Sequence, residues 1–213
     1  MAFIALEGGD GTGKTTQLRL LQERWGDLFP NQECIFTKEP GGGSSFSHKI
    51  RELALNDEHA GEASPGAIFG LMVASRLEHL DSLVVPALNE GRVVITDRFE
   101  AATWAYQLSG QEGRYLAPLY HAHREVIRER LPEGQRVQVL ILDLDPEAAL
   151  GRLQIRDGES NHFDLRTPEF HERVREGLRE YQSTIEPKAI FIDASGSVEE
   201  VHQAVVEHIR TML

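Results

Sequence analysis

Four residues near the start of the chain have the types and spacing to hold phosphate. Gly8, Gly13, Lys14 and Thr15 satisfy G-x-x-x-x-G-K-[ST]. The apolar run Phe3-Ile4-Ala5-Leu6 ends at Glu7, the turn Gly8-Gly9-Asp10-Gly11-Thr12-Gly13 follows, and Lys14-Thr15-Thr16-Gln17-Leu18 opens a helix. Glycines let consecutive backbone N–H groups face phosphate oxygens that side chains would otherwise block. A helix N-terminus adds its dipole at the same place. In such a loop Lys14 supplies a point charge to the β- and γ-phosphates of a nucleotide, and the Thr15 hydroxyl is a ligand for Mg²⁺. Strand before and helix after are the context that this motif requires.

Phosphoryl transfer to a second anion needs more cations than Lys14, because two polyanions must approach and the transferred group must be stabilised. Lys38, Arg51, Arg76, Arg98, Arg152 and Arg156 supply them at separated positions. Arg98 stands out, because Asp97-Arg98 closes the apolar run Val93-Val94-Ile95-Thr96. The carboxyl end of such a buried parallel strand is where ligands bind in doubly wound sheets. A nucleotide-dependent switch is the competing class. It finds little support: no Asn-Lys-x-Asp reads guanine, and Asp193-Ala194-Ser195-Gly196 comes too late in the chain.

The elements that must position these residues alternate. Strands are expected at 3–7, 33–37, 92–97, 137–143 and 189–193, and helices at 15–25, 46–55, 67–88, 101–108, 115–131, 168–181 and from 197 to the end. Asp145-Pro146 starts a further helix by N-cap and N1 rules. This alternation predicts an α/β, P-loop three-layer fold, with a five-stranded parallel sheet flanked by helices in one domain over 1–213.

Composition sets outer limits. The 213 residues carry a net charge of −12, which argues against a nucleic-acid or anionic-membrane binder. Cys34 is the only cysteine, so neither a disulfide framework nor a cysteine zinc site is expected. No apolar run approaches the ~18 residues of a membrane span, and the chain enters its first strand with no signal peptide. A cytoplasmic protein is the expectation. Nine histidines show only His121-x-His123 as a metal-like spacing, on different helix faces, and surface positions are expected for them.

The ordered set of motifs resembles the thymidylate (dTMP) kinases over nearly the whole chain. Phe3 to Gln17 is similar to that family's P-loop, including the acid Asp10. Thr37-Lys38-Glu39-Pro40-Gly41-Gly42 resembles its T-R-E-P-G-G segment, and Ile50-Arg51-Glu52-Leu53 its acceptor-phosphate arginine. Asp97-Arg98-Phe99 with Ala105-Tyr106-Gln107 resembles D-R-Y…A-Y-Q. Leu142 to Glu147 with Arg152 resembles the entry to its lid, and Phe170 to Gly177 the segment after it.

The resemblance implies ATP- and Mg²⁺-dependent phosphorylation of dTMP to dTDP by a homodimer. It implies that Gly8, Gly9, Asp10, Gly11, Thr12, Gly13, Lys14, Thr15 and Thr16 hold ATP. Thr15, Asp97 and Asp10 serve the metal, and Asp10 lies between donor and acceptor. Lys38, Arg51 and Arg98 hold the monophosphate, with Glu39 and Pro40 in the same segment. Arg76 reaches the base beside Met72 and Thr103, and Tyr106 packs on the deoxyribose. A mobile lid over about 152–167 brings Arg152 and Arg156. Thr12 leaves the P-loop without a cation of its own, so Arg156 is the first choice for the catalytic one.

Departures from the pattern gather around the base. Met72 stands where an aromatic is usual, four residues before Arg76. Ala102 replaces a hydroxyl residue, Phe99 a tyrosine, and Asn161-His162-Phe163-Asp164 stands for D-R-F-E. Glu100 is expected near the acceptor. Lys38 keeps the charge of the usual arginine without its bidentate geometry. A kinase for another deoxynucleoside monophosphate, or one of relaxed base choice, is the same-class alternative.

Overall fold

The computed structural model describes residues 2–154 and 162–213. Five strands, β1 (Phe3–Gly8), β2 (Cys34–Lys38), β3 (Val93–Asp97), β4 (Val137–Asp143) and β5 (Ile190–Asp193), form one sheet in the order β2-β3-β1-β4-β5. Every pairing is parallel; Phe3 lies opposite Val94 on one side and Val137 on the other. The connections leave β1 in both directions, first toward β2 and β3, then toward β4 and β5. That reversal opens a crevice at the carboxyl ends of the central strands.

All six residues of β1 are buried, because helices cover both faces of the sheet. Side chains alternate accordingly. Ile4 and Leu6 pack with Leu140 and Leu142 against Leu21, Trp25, Val205 and Ile209, from helices α1 (Lys14–Leu28) and α9 (Val198–Met212). Phe3 and Ala5 face the other way, onto Leu80, Val84, Phe99 and Ile127. Val139 and Ile141 of β4 meet a further cluster that includes Ile68, Trp104, Tyr120, Phe170 and Val174. Trp104 is therefore core, edge-to-face with Tyr120 at 5.0 Å.

The remaining helices are α2 (Ser45–Arg51), α3 (Pro65–His79), α4 (Val85–Asn89), α5 (Glu100–Thr103), α6 (Ala117–Arg130), α7 (Pro146–Gln154) and α8 (Pro168–Glu180). The helix expected at 46–55 is α2 followed by a π turn at Glu52–Asn56, and two others differ from expectation for local reasons. The helix expected at 67–88 begins earlier, because Ser64 caps it by accepting from Ala67 N–H at 3.2 Å. It then widens into a π turn at Leu80–Val84, just ahead of Pro86. A proline ring clashes with the carbonyl four residues back, and a widened turn accommodates it. The helix expected at 101–108 is α5 followed by a π stretch at Trp104–Gly110, which carries Tyr106 and Gln107. At α7, the Asp145 carboxylate accepts from Glu147 N–H at 3.1 Å, as the Asp-Pro start predicts. No helix among the described residues is long and apolar enough to cross a membrane.

Candidate active site

The loop between β1 and α1 has the geometry its glycines predict. Gly8, Gly11 and Gly13 all have positive φ, at 145°, 78° and 96°. A Cβ on Gly8 would lie 2.7 Å from the Leu142 carbonyl oxygen, and one on Gly11 would strike the Ala149 carbonyl. Thr12 turns its hydroxyl inward, donating to Gly9 O at 2.9 Å. Lys14 Nζ donates to the same carbonyl at 2.6 Å. Burial, with the Arg98 charge adding to it, pushes Lys14 down to about 8.

The Thr15 hydroxyl donates to Asp97 Oδ2 at 3.0 Å, joining the first turn of α1 to the end of β3. Asp97 Oδ1 is buried without a hydrogen-bond partner among the described residues. A hydroxyl and a carboxylate with an uncommitted buried oxygen are the hard donors that Mg²⁺ takes, alongside waters and phosphates. No group of three His, Cys, Asp or Glu side chains among the described residues forms a closed metal cage. This pair therefore fits magnesium shared with a nucleotide better than a structural metal.

Arg98 has φ 71°, so the chain turns sharply as it leaves β3. Glu7 holds that turn, accepting from Phe99 N–H at 2.8 Å and Ala101 N–H at 3.1 Å through Oε1. The Glu7 carboxyl is wholly buried and pushed up to about 7 by that burial, with the Arg98 charge opposing. The Arg98 guanidinium donates to Gly8 O at 2.9 Å, to Tyr106 Oη at 3.0 Å and to Asp10 Oδ1. Tyr106 donates in turn to Asp10 Oδ2 at 2.8 Å. Burial alone would raise the Asp10 carboxyl, but the Arg98 and Lys14 charges outweigh it and hold it below its ordinary value. Both Asp10 oxygens thus accept hydrogen bonds, one from Arg98 and one from Tyr106.

One cavity of about 770 Å³ is lined by Asp10, Lys14, Thr15, Asp97, Arg98 and Tyr106 and continues past Lys38, Glu39, Pro40 and Arg51 to Met72, Arg76, Ala102, Thr103 and Phe163. Arg51 donates to Pro40 O at 2.9 Å, which fixes it against the segment after β2. The Glu39–Pro40 peptide bond there is cis. Arg76 is 2 % exposed and ordered by three partners: Glu39 Oε2 at 2.7 Å, Phe99 O at 2.8 Å and Thr103 Oγ1 at 3.0 Å. Its Nη1 is buried with no hydrogen-bond partner among the described residues. At the other end the cavity meets Gln17, Arg152, Gly196, Ser197 and Val198.

A family model described as "Thymidylate kinase" matches residues 6–205. The chain belongs to the thymidylate kinase family. The thymidylate kinase of Desulforapulum autotrophicum is 34 % identical over 217 residues, covering 99 % of this chain and 92 % of its own. That of Caulobacter vibrioides is 38 % identical over 204 residues, covering 95 % and 93 %. The crystal structure of thymidylate kinase from Ehrlichia chaffeensis superposes with a TM-score of 0.72 at 26 % identity, covering 98 % of both chains. The protein is a phosphotransferase of the thymidylate kinase class, moving phosphoryl from ATP to dTMP with Mg²⁺ and giving dTDP.

Apart from Gly8 and Gly9, which precede the lining residues in the loop, every site residue expected in the described part lines this cavity, and Arg156 lies outside the described residues. Two expectations are corrected. Glu100 does not approach the acceptor end: it is 4 % exposed, bonded to Arg124 Nε at 2.9 and 3.0 Å and to Tyr181 Oη at 3.0 Å. The arginine from α6 draws it into the core. The histidines are not all on the surface either, since His79, His123, His171 and His202 are buried.

Sequence reasoning missed Glu7, His79 and the Gly196–Val198 border. A carboxylate at the end of an otherwise apolar strand, and a histidine one turn beyond Arg76, were the available signals. Phe163 was legible as a motif residue but not as an aromatic of the cavity wall, where it meets Tyr106 edge-on at 5.5 Å.

Proposed function

We propose that the cavity seats ATP at the P-loop end and dTMP at the Arg76 end, with in-line transfer between them and no covalent enzyme intermediate. The contact that carries this reading is Arg98 to Gly8 O and Asp10, which ties the acceptor-side arginine to the donor loop. The loop amides and Lys14 bind the donor phosphates. Lys38, Arg51 and Arg98 bind the acceptor phosphate, already an anion and a competent nucleophile, so positioning and charge neutralisation suffice. Asp10 and Tyr106 orient Arg98, and Tyr106 borders the acceptor sugar. Thr15 and Asp97 would hold magnesium, which when bound neutralises charge on the transferring group.

Arg152 donates to Ala194 O at 3.1 Å and borders the donor end, which supports its place on a lid over about 152–167. Phe163, from the same segment, lines the acceptor end, so closure of that segment would exclude water from the transfer. The whole chain is one kinase domain in this reading, and a homodimer is its assembly. A second reading, relaxed base choice, is favoured by Ala102 and Met72, which leave an apolar wall beside Arg76.

A coupled ADP-release assay over dTMP, dUMP, dCMP, dAMP and dGMP tests both. Preferential turnover of dTMP is expected. ATP hydrolysis independent of any acceptor would sink the kinase reading, and comparable turnover of several bases would favour the second.

A further inference from the structure

Arg76 lines the cavity with its Nε and Nη2 spoken for, and its Nη1 is buried without a hydrogen-bond partner among the described residues. The origin of that order lies deeper. Glu39 accepts from Arg76 through Oε2 at 2.7 Å and faces His79 Nδ1 through Oε1 at 2.8 Å. His79 is 0 % exposed, and its Nε2 lies 2.9 Å from Thr37 Oγ1. A carboxylate is acceptor-only, so Nδ1 carries the hydrogen and Nε2 takes the Thr37 hydroxyl proton. The chain Thr37–His79–Glu39–Arg76 has a donor facing an acceptor at each contact.

The same imidazole also props up the phosphate end. It sits under the turn after β2, where a Cβ on Gly42 would lie 2.7 Å from His79 Nε2 and 2.5 Å from Thr37 Oγ1. Pro40, to which Arg51 donates, belongs to this segment. One buried ring thus touches both what orders the base-facing arginine and what orders the phosphate-facing one.

We propose that His79 is a positioning residue for acceptor recognition: through Glu39 it fixes the donor direction of Arg76, and so the selection for a base with a carbonyl at that point. The inference rests on Arg76 facing the acceptor base. A base presenting an exocyclic amine there sets donor against donor and leaves buried polar groups unpaired. If the clamp loosens, Arg76 can turn away and the penalty shrinks. Outer hydrogen bonds that orient metal ligands are worth about 10–100-fold in affinity or activity, and the lower end of that scale is the expectation taken over to this arginine.

The test uses the full chain, steady-state kinetics with dTMP and dCMP, and thermal midpoints. His79→Gln, whose amide reaches the Nε2 position but not Nδ1, is expected to raise the KM for dTMP about tenfold and to lower the dTMP:dCMP ratio of kcat/KM similarly, leaving the KM for ATP unchanged. His79→Asn, whose amide nitrogen takes the place of Nδ1 but does not reach Thr37, is expected to restore part of both. An unchanged acceptor KM and ratio in His79→Gln would overturn the proposal, whatever happens to its thermal midpoint.

If His79→Gln does not fold, Thr37→Val cuts the outer bond and is expected to move acceptor KM and selectivity in the same direction; no movement overturns the proposal. Arg76→Ala separates the two levels. An unchanged ratio there overturns the placement of Arg76 at the base and this inference with it. A collapsed ratio with an unaffected His79→Gln overturns the inference alone.

Discussion

Arg98 donates to the carboxylate of Asp10, 88 residues away in sequence, and the two are joined by the Tyr106 hydroxyl into one bonded group. The arginine is 18 % and the aspartate 11 % exposed at the side chain, so each partner is costly to leave alone. Removing one member therefore frees the other, and the two should act as a unit. Arg98→Ala and Asp10→Ala are each expected to lower kcat/KM for dTMP by roughly 10²–10³, while the double variant falls less than tenfold below the worse single. A double-mutant cycle in steady-state kinetics measures this. Additive losses would mean that the two groups work separately.

That relationship also marks how far the sequence could be read. Lys14, Thr15 and Arg98 were legible, since each follows a spacing or a strand end with a physical reason behind it, whereas Arg76 was legible only through the family resemblance. The five parallel strands follow from alternation and buried apolar runs such as Val93 to Thr96, but their order in the sheet does not. What could not be read was the second layer of bonds. Glu7, Glu39 and His79 look like ordinary charged or polar residues until the fold brings distant backbone N–H groups and Arg76 against them. Glu100 shows the converse: its position beside Arg98 in sequence suggested the acceptor site, and Arg124, on a helix packed later in the chain, decides otherwise. Pairing partners chosen by tertiary structure leave no local pattern.

The Thr15–Asp97 pair makes a prediction about metal demand. Thr15→Val removes the hydroxyl and Asp97→Asn removes the charge, while both keep the shape. Each variant should require at least about tenfold more Mg²⁺ for half-maximal activity, with Asp97→Asn the more affected, since a carboxylate is the stronger magnesium ligand. Activity titrated against Mg²⁺ at saturating ATP and dTMP measures the shift. Coincident curves for variant and parent would remove these residues from the metal site.

Gly11 and Gly13 offer a comparison inside one loop. Both have left-handed backbones, with φ 78° and 96°, but a Cβ on Gly11 meets the Ala149 backbone, whereas one on Gly13 finds no atom within 4 Å. Gly13→Ala should cost only the backbone strain, about 1–2 kcal/mol. Gly11→Ala should cost at least about 2 kcal/mol more, because the start of the loop and α7 must move apart. Urea denaturation gives both values. Equal losses would show that α7 yields freely at Ala149.

Glu7 predicts a pH dependence of stability. Its ordinary value of 4.5 describes the unfolded chain, and burial raises it to about 7 in the fold. Between these values the folded protein keeps a proton that the unfolded chain has released. More protons bound in the folded state means that stability falls as pH rises, from about 4.5 through about 7. Glu7→Gln keeps an acceptor for Phe99 and Ala101 but does not titrate, so its own curve lacks this slope. Other groups cancel in the difference, among them His123, which burial pushes down to about 3 and which weakens the fold on the acid side. The stability of the parent relative to Glu7→Gln should therefore decline by roughly 2–3 kcal/mol from pH 5 to pH 8. Urea midpoints of both proteins at the two pH values measure it. A constant difference would mean that Glu7 is ionised in the fold throughout, its charge balanced by Arg98 and Arg76.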